Sequence, residues 1–332
     1  MKILIVRLSS IGDVLLTTPV VRCIKQQVGE VEIHFLTRKS NAAILNGNPH
    51  IDVLHCIENS PDEIVSTLQS ERFDLVVDLH NVPRTRRLRR KLDIKTLVYN
   101  KENLHKFIYI LTKHNCMSGK HVVERYADAV KPLGVALDSE GLEMYLPPQI
   151  NWPETFGHIF GASSYSAMKP FVAVACGAQH YTKQIPVEGI VEICKHLRHK
   201  ALLLGDNNDR QRLSTVADLL PSNAYNLCGL TSLQQSAAVV RDAAVVITPD
   251  TGLMHMAAAF RRPTLAVWGA TAPPLGFTPY HTFSENFEVS PLPCHPCSRQ
   301  GNAQCRKGHF RCMAEQDWHK IANRADDIID KQ

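Results

Sequence analysis

The chain has 332 residues, 44% hydrophobic and 21% charged, with a net charge of +5. That composition excludes a disordered polar chain, and no apolar run approaches the roughly 20 residues needed to span a bilayer. It suits a soluble protein of about two domains, basic enough to permit an anionic partner without demanding one. The opening "MKILIVRLSS" has a short apolar run and no small-residue cleavage site, so a cytoplasmic protein is expected.

The first half alternates strand-like and helix-like stretches. "KILIVRL" reads as a strand and Ile11 to Gln27 as a helix. "VEIHFLT" is a strand, and "SNAAILNGNP" holds a short helix stopped by Gly47 and Pro49. "IDVLHCI" is a strand, "SPDEIVSTLQSER" a helix, "FDLVVDLH" a strand and "TLVYN" another. Helix-prone "KFIYILTKHN" and "HVVERYADAVKPLG" follow. The proline-flanked stretch over 145–154 reads as a linker. The alternation then restarts: strands "FVAVACGA", "KALLLGD", "AVVITPD" and "PTLAVWGA", with helices "VEGIVEICKHLRH", "DRQRLSTVADLLP", "SLQQSAAVVRDA" and "GLMHMAAAF" between them. Such alternation predicts parallel sheets covered on both faces, in two tandem doubly wound α/β domains over 1–150 and 151–332. A C-terminal helix closes the chain, with the option of packing back on the first domain.

In open parallel sheets ligands bind beyond the carboxyl ends of strands, so chemistry belongs in the segments that follow them. Asp13 lies near a helix start after the first strand. It reads either as a first-turn carboxylate favoured by the helix dipole or as a general base toward a sugar hydroxyl. The turn holds Gly12 alone, so the G-x-G-x-x-G dinucleotide pattern is absent. In "TPDTGLMHMAAA", Asp250, Thr251 and Gly252 form a turn and His255 lies in the first turn of a helix. That is either a diphosphate seat or an N-cap with a buried histidine. Lys183 in "CGAQHYTKQIP" either neutralises an anionic leaving group or is a solvated loop lysine. Asp206 and Asp209 in "LLLGDNNDRQR" compete for a ribose contact, and Asp209 equally suits a helix cap.

"PRTRRLRRKLDIK" carries Arg84, Arg86, Arg87, Arg89, Arg90, Lys91 and Lys95, ahead of the basic and apolar "LHKFIYILTKH". Either this is a solvated basic helix, or it meets a phosphorylated glycolipid acceptor at a membrane face. No nucleic-acid-binding module accompanies it. Of ten cysteines, six (Cys23, Cys56, Cys116, Cys176, Cys194 and Cys228) lie within or beside apolar runs and read as reduced core thiols. The other four, Cys294, Cys297, Cys305 and Cys312, cluster. Their first pair has zinc-knuckle spacing, and His295 and His309 lie near as competing ligands. A structural zinc or iron–sulfur centre, free thiols and a disulfide all remain open, with no catalytic role.

Together "KILIVRLSSIGDVLLTTPVVRCIKQ", "GAQHYTKQIP", "TPDTGLMHMAAAFRRPTLAVWGAT" and the "CHPC…C…HFRCM" tail resemble glycosyltransferase family 9, the bacterial ADP-heptose:lipopolysaccharide heptosyltransferases. The resemblance runs nearly end to end. It implies a GT-B fold, two Rossmann-like domains facing across a cleft, and metal-independent transfer with inversion from a nucleotide-diphosphate sugar to a lipopolysaccharide-core acceptor. It places Asp13 as the base, Lys183 on the donor phosphates, and Asp250, Thr251, Gly252 and His255 in the donor-diphosphate loop. Either Asp206 or Asp209 falls to the donor ribose. Ser10, Gly12, Arg84 and Arg86 are expected on the acceptor side. No cofactor is expected for catalysis. Peripheral contact with the inner membrane face is expected, and a monomer is favoured. No strict D-x-D triplet occurs, in keeping with metal-free chemistry, while "KQIP" departs from the aromatic that many members place before the proline. A nucleotide-sugar epimerase on the same fold and an inactive nucleotide-sugar-binding protein are the alternatives.

Overall fold

The apolar runs form parallel strands and the amphipathic runs form the helices that cover them. The structure is a computed structural model describing residues 1–148, 150, 168–216 and 219–332. The expected linker falls partly outside the described residues, at 149 and 151–154. In chain order the first half gives β1 (Lys2–Val6), α1 (Ile11–Leu15), α2 (Thr18–Gln27), β2 (Glu32–Arg38), α3 (Ala42–Leu45), β3 (Val53–Ile57), α4 (Val65–Ser70), β4 (Leu75–Asp78), α5 (Pro83–Leu92), β5 (Thr96–Val98), α6 (Asn103–Thr112) and α7 (Val122–Val130). The second half gives β6 (Phe171–Ala175), α8 (Val187–His196), β7 (Lys200–Leu204), α9 (Asn207–Ser214), β8 (Ala224–Asn226), α10 (Leu233–Asp242), β9 (Val245–Pro249), α11 (Gly252–Ala259), β10 (Thr264–Val267), β11 (Ser284–Phe287), α12 (Arg311–Ala314) and α13 (Trp318–Ile329).

The chain divides into two compact units, residues 1–103 with 120–147, and residues 104–119 with 148–332. The segment 104–119, assigned from sequence to the first domain, thus belongs with the second unit. Lys106 Nζ lies 5.2 Å from the Phe277 ring centre, and Lys113 Nζ donates to the carbonyls of Cys294 and Pro296 at 3.2 and 2.6 Å.

The first unit has the parallel order β3-β2-β1-β4-β5. β1 is buried from Ile3 to Val6, as a strand covered on both faces must be. Val6 and Asp78 end β1 and β4 side by side. The single helix expected over 11–27 is broken between Leu15 and Thr18. Pro19 lacks the N–H that would continue the ladder, and the hydroxyls of Thr17 and Thr18 donate to the carbonyls of Val14 and Leu15. Beyond α7, Arg22 of α2 grips the returning chain through Asp138 and Glu143, each at 2.7 Å. The Arg22 guanidinium holds the Asp138 carboxyl down to about 2.

The second unit has the parallel order β11-β10-β9-β6-β7-β8. Its core takes Val172 and Val174 of β6, Leu203 of β7, Ile247 of β9 and Leu265 of β10 under α8 and α13. The C-terminal helix therefore packs within its own unit. Both sheets reverse strand order at one point, between β1 and β4 in the first and between β6 and β9 in the second. The expected α/β class with two doubly wound parallel sheets is the one found. Of the six scattered cysteines, Cys23, Cys176, Cys194 and Cys228 are buried, but Cys56 is exposed and Cys116 partly so; those two are not core thiols.

Candidate active site

Asp13 sits at the switch point of the first sheet, in the first turn of α1. Its Oδ2 accepts from the Ser10 hydroxyl at 2.8 Å and the Ser10 N–H at 3.2 Å, and its Oδ1 pairs with Arg7 Nη2 at 2.7 Å. Arg7 directly follows β1 and is buried. It also donates to the carbonyls of Ser9 and Leu79 at 2.8 and 2.6 Å, and its guanidinium lies 5.7 Å from the Tyr126 ring centre. These charge-assisted bonds fix the carboxylate, yet its side chain remains 21% exposed. Asp13 thus braces a helix start, as the first of the two sequence readings expects, and its carboxylate stays partly exposed.

The same corner holds residues that the sequence reading missed. His80 follows β4, and its Nδ1 accepts from Leu8 N–H at 3.3 Å. Burial, then the charges of Arg7 and Lys101, push its imidazole down to about 3, so it is neutral. Lys101 is half-buried, and burial followed by Arg7 lowers its ammonium to about 8. Burial raises the Tyr126 phenol well above its ordinary range. Strand-end logic alone points to His80. Arg84 and Arg86 lie exposed on α5, whose buried side is Thr85, Leu88 and Leu92. Arg84 donates to the Asn59 carbonyl at 3.1 Å and Arg86 to Asn81 Oδ1 at 3.3 Å. Ser10 is exposed and Gly12 is buried in α1.

The switch point of the second sheet carries Lys183 and Asp250. Lys183 follows β6, Asp250 follows β9, and Nζ meets Oδ2 at 2.9 Å. The Thr271 hydroxyl, beyond β10, donates to the same oxygen at 2.9 Å. Asp250 therefore aims an ammonium, which is the group that an anion needs. Thr251 caps α11 through its hydroxyl to Leu253 N–H at 3.2 Å, and His255 is buried within that helix. Asp206 caps α9, taking the N–H groups of Asn208 and Asp209 at 2.8 and 3.0 Å, and remains exposed. Asp209 is buried; its carboxylate accepts from Asp206 N–H and Arg212, each at 3.0 Å. A Cβ on Gly177 would fall 1.9 Å from Asp209 Oδ2, so Asp209 is packed into the fold.

The cysteine segment grips this corner. Asn302 N–H donates to Thr182 Oγ1 at 2.8 Å, Cys297 N–H to the Ala270 carbonyl at 3.0 Å, and His295 Nε2 lies 2.8 Å from the Thr271 carbonyl. Gly301, at φ +97°, lies where a Cβ would come within 2.8 Å of Lys183 Cδ. At Cys305, burial acts to raise the thiol, but the N–H groups of Phe310, Lys307, Gly308 and His309 outweigh it and bring it down. His309 Nε2 is 3.7 Å from Cys294 Sγ. Among the described residues, the grouping whose ligand atoms gather within 4.8 Å is His34, His55 and Glu71, not the cysteines.

The sequence profile of glycosyltransferase family 9 (heptosyltransferase) matches residues 63–307. Lipopolysaccharide heptosyltransferase 3 of Escherichia coli is 24% identical over 282 residues, covering 78% of this chain and 81% of that one. The crystal structure of the glycosyl transferase family 9 from Veillonella parvula DSM 2008 superposes with a TM-score of 0.79 at 18% identity, covering 100% of this chain and 98% of that one. E. coli ADP-heptose lps heptosyltransferase II gives 0.71 at 18% identity, covering 100% and 99%. The chain belongs to glycosyltransferase family 9, the heptosyltransferases, and is a glycosyltransferase.

Proposed function

We propose that the protein transfers a heptose, with inversion and without a catalytic metal, from ADP-heptose to the phosphorylated core of a lipopolysaccharide. The observation that carries this reading is the Lys183–Asp250 ion pair at the strand-order reversal of the second sheet. It presents a fixed ammonium beside the start of α11, as a departing diphosphate requires. Asp13 takes the proton of the acceptor hydroxyl as that oxygen attacks the anomeric carbon. The bond from that carbon to the diphosphate oxygen breaks on the opposite face, and Lys183 with the N–H groups around Gly252 receives the charge. Asp250 and Thr271 hold Lys183 in place. Asp206, exposed at the end of β7, suits the ribose better than Asp209, whose carboxylate is committed inside the fold.

The acceptor side takes Ser10, Gly12, Arg84 and Arg86, joined by Lys101. A structural metal at the four C-terminal cysteines, outside the chemistry, would have to draw together ligand atoms that are not gathered in this structure, although the N–H groups directed at Cys305 suit a thiolate ligand. Metal analysis of the purified protein checks this: a metal-free active enzyme would contradict it. The donor assignment is tested by thermal shift with ADP-, GDP- and UDP-sugars. ADP-heptose should raise the melting temperature in a concentration-dependent way, and the others should not at equal concentration. A shift confined to GDP- or UDP-sugars would overturn the donor assignment.

A further inference from the structure

We propose that the first unit carries a binding site for a divalent transition cation of the zinc, cobalt and nickel class, with His34, His55 and Glu71 as ligands and Glu32 orienting His34. The site lies on the face of β2 and β3, beside Lys2 and Glu32 at the amino-terminal ends of β1 and β2, and is independent of the sugar-transfer reading.

Strand register creates it. His34 pairs with Val53, so His55, two residues further along β3, projects from the same face. His34 Nδ1 and His55 Nε2 are 2.8 Å apart, and one ligand atom from each of His34, His55 and Glu71 falls within 4.8 Å of the others. Two nitrogens on one tetrahedral cation at 2.0–2.1 Å would sit about 3.3 Å apart, so the rings need to part by only about 0.5 Å. Phe73 lies edge-on to both rings, with centroids at 5.0 and 6.5 Å, and fixes their planes.

The remaining nitrogen of His34 lies 2.8 Å from Glu32 Oε1. A carboxylate on the far nitrogen is the usual support for a metal-bound imidazole; it fixes the tautomer and raises the basicity of the ligating atom. His34 is 1% exposed, while Glu71 and Glu32 are 29% and 47% exposed, which leaves a route in from solvent.

Charge points the same way. Lys2 Nζ serves both carboxylates, Glu71 at 2.9 Å and Glu32 at 3.4 Å, so one ammonium faces two negative charges. Glu71 also stands at the carboxyl end of α4, where the helix dipole disfavours an anion. A doubly charged cation in place of the ammonium would answer both. Imidazole and carboxylate donors suit zinc, cobalt and nickel better than magnesium or calcium.

The test is titration of the chelator-stripped full chain with cobalt chloride under reducing conditions, followed by absorption spectroscopy. A component with d–d bands and no thiolate-to-cobalt charge-transfer band should appear, because the cysteine segment would contribute the latter. His55→Gln and Glu71→Gln, both at incompletely buried positions, should weaken that component at least tenfold, and Glu32→Gln about tenfold. All three should leave any thiolate band unchanged. X-ray absorption of the wild-type cobalt complex supplies a check without variants, and should show imidazole scattering. Cobalt uptake that is entirely thiolate-bound, or equal in wild type and variants, would overturn the site.

Discussion

Asp13 is positioned by Arg7, and that dependence decides how it can be examined. Removing the carboxylate altogether would leave a buried guanidinium short of its anion, a loss that costs about 3–5 kcal/mol in buried pairs. An amide also removes the negative charge, but it keeps an acceptor oxygen of the same shape for the guanidinium and for the Ser10 hydroxyl, so it deletes the base at the smaller structural cost. Lys101 gives the same corner a dependence on pH. Burial and then Arg7 bring its ammonium to about 8, so it is charged below that pH and neutral above it. If it meets an anionic acceptor, the acceptor KM should rise several-fold between about pH 7 and about pH 9. Lys101→Met should show a high, flat acceptor KM over that range, with the donor KM unmoved; an unchanged KM in the variant would remove Lys101 from the site. Asp13, Lys183, Asp250 and Thr251 were legible in the sequence because each follows an apolar run. Arg7, Lys101, Thr271 and His295 were not, because their roles depend on which strands become neighbours. His80 stands between these cases, since it ends "FDLVVDLH" but draws its significance from β4 lying beside β1.

At the level of elements, long buried strands were easy to read and short edge strands were not. β8 and β11 are edge strands of three and four residues with intermediate or exposed side chains, so neither hydrophobic run nor alternation marks them. The break between α1 and α2 was written in Pro19, yet the apolar pattern continues across it and disguises it. The packing of α13 on α8 depends on one small residue. A Cβ on Gly189 would lie 2.6 Å from Trp318 Cε2, a ring atom with little freedom to retreat. Alanine gains up to about 1 kcal/mol of helix propensity there. Overpacking a filled core costs about 1–3 kcal/mol, so the loss should win. Denaturant unfolding of Gly189→Ala should therefore show a lower midpoint than wild type with a similar slope. A raised midpoint would mean that α13 yields easily.

For the whole molecule, a parallel sheet in each of two units and the loops at their carboxyl ends follow from the alternation of strands and helices. The assignment of 104–119 to the second unit did not, since a stretch that crosses from one unit to the other leaves no mark on periodicity. No helix among the described residues is long and apolar enough to cross a membrane. On α6, Leu104, Phe107 and Leu111 are 68%, 59% and 68% exposed, at the spacing of one helix face. The peripheral membrane contact expected from the sequence is tested on this stripe. Phe107→Asp should reduce co-sedimentation with anionic vesicles while sparing donor affinity, and equal co-sedimentation would discard the stripe. The account as a whole stands on a donor held at Lys183 and an acceptor activated by Asp13. The most direct test is Asp13→Asn, measured for donor Kd by calorimetry and for the transfer rate on the same folded sample. Donor affinity should stay within about twofold while transfer falls by about 10²–10⁴. Transfer at the wild-type rate would contradict the account.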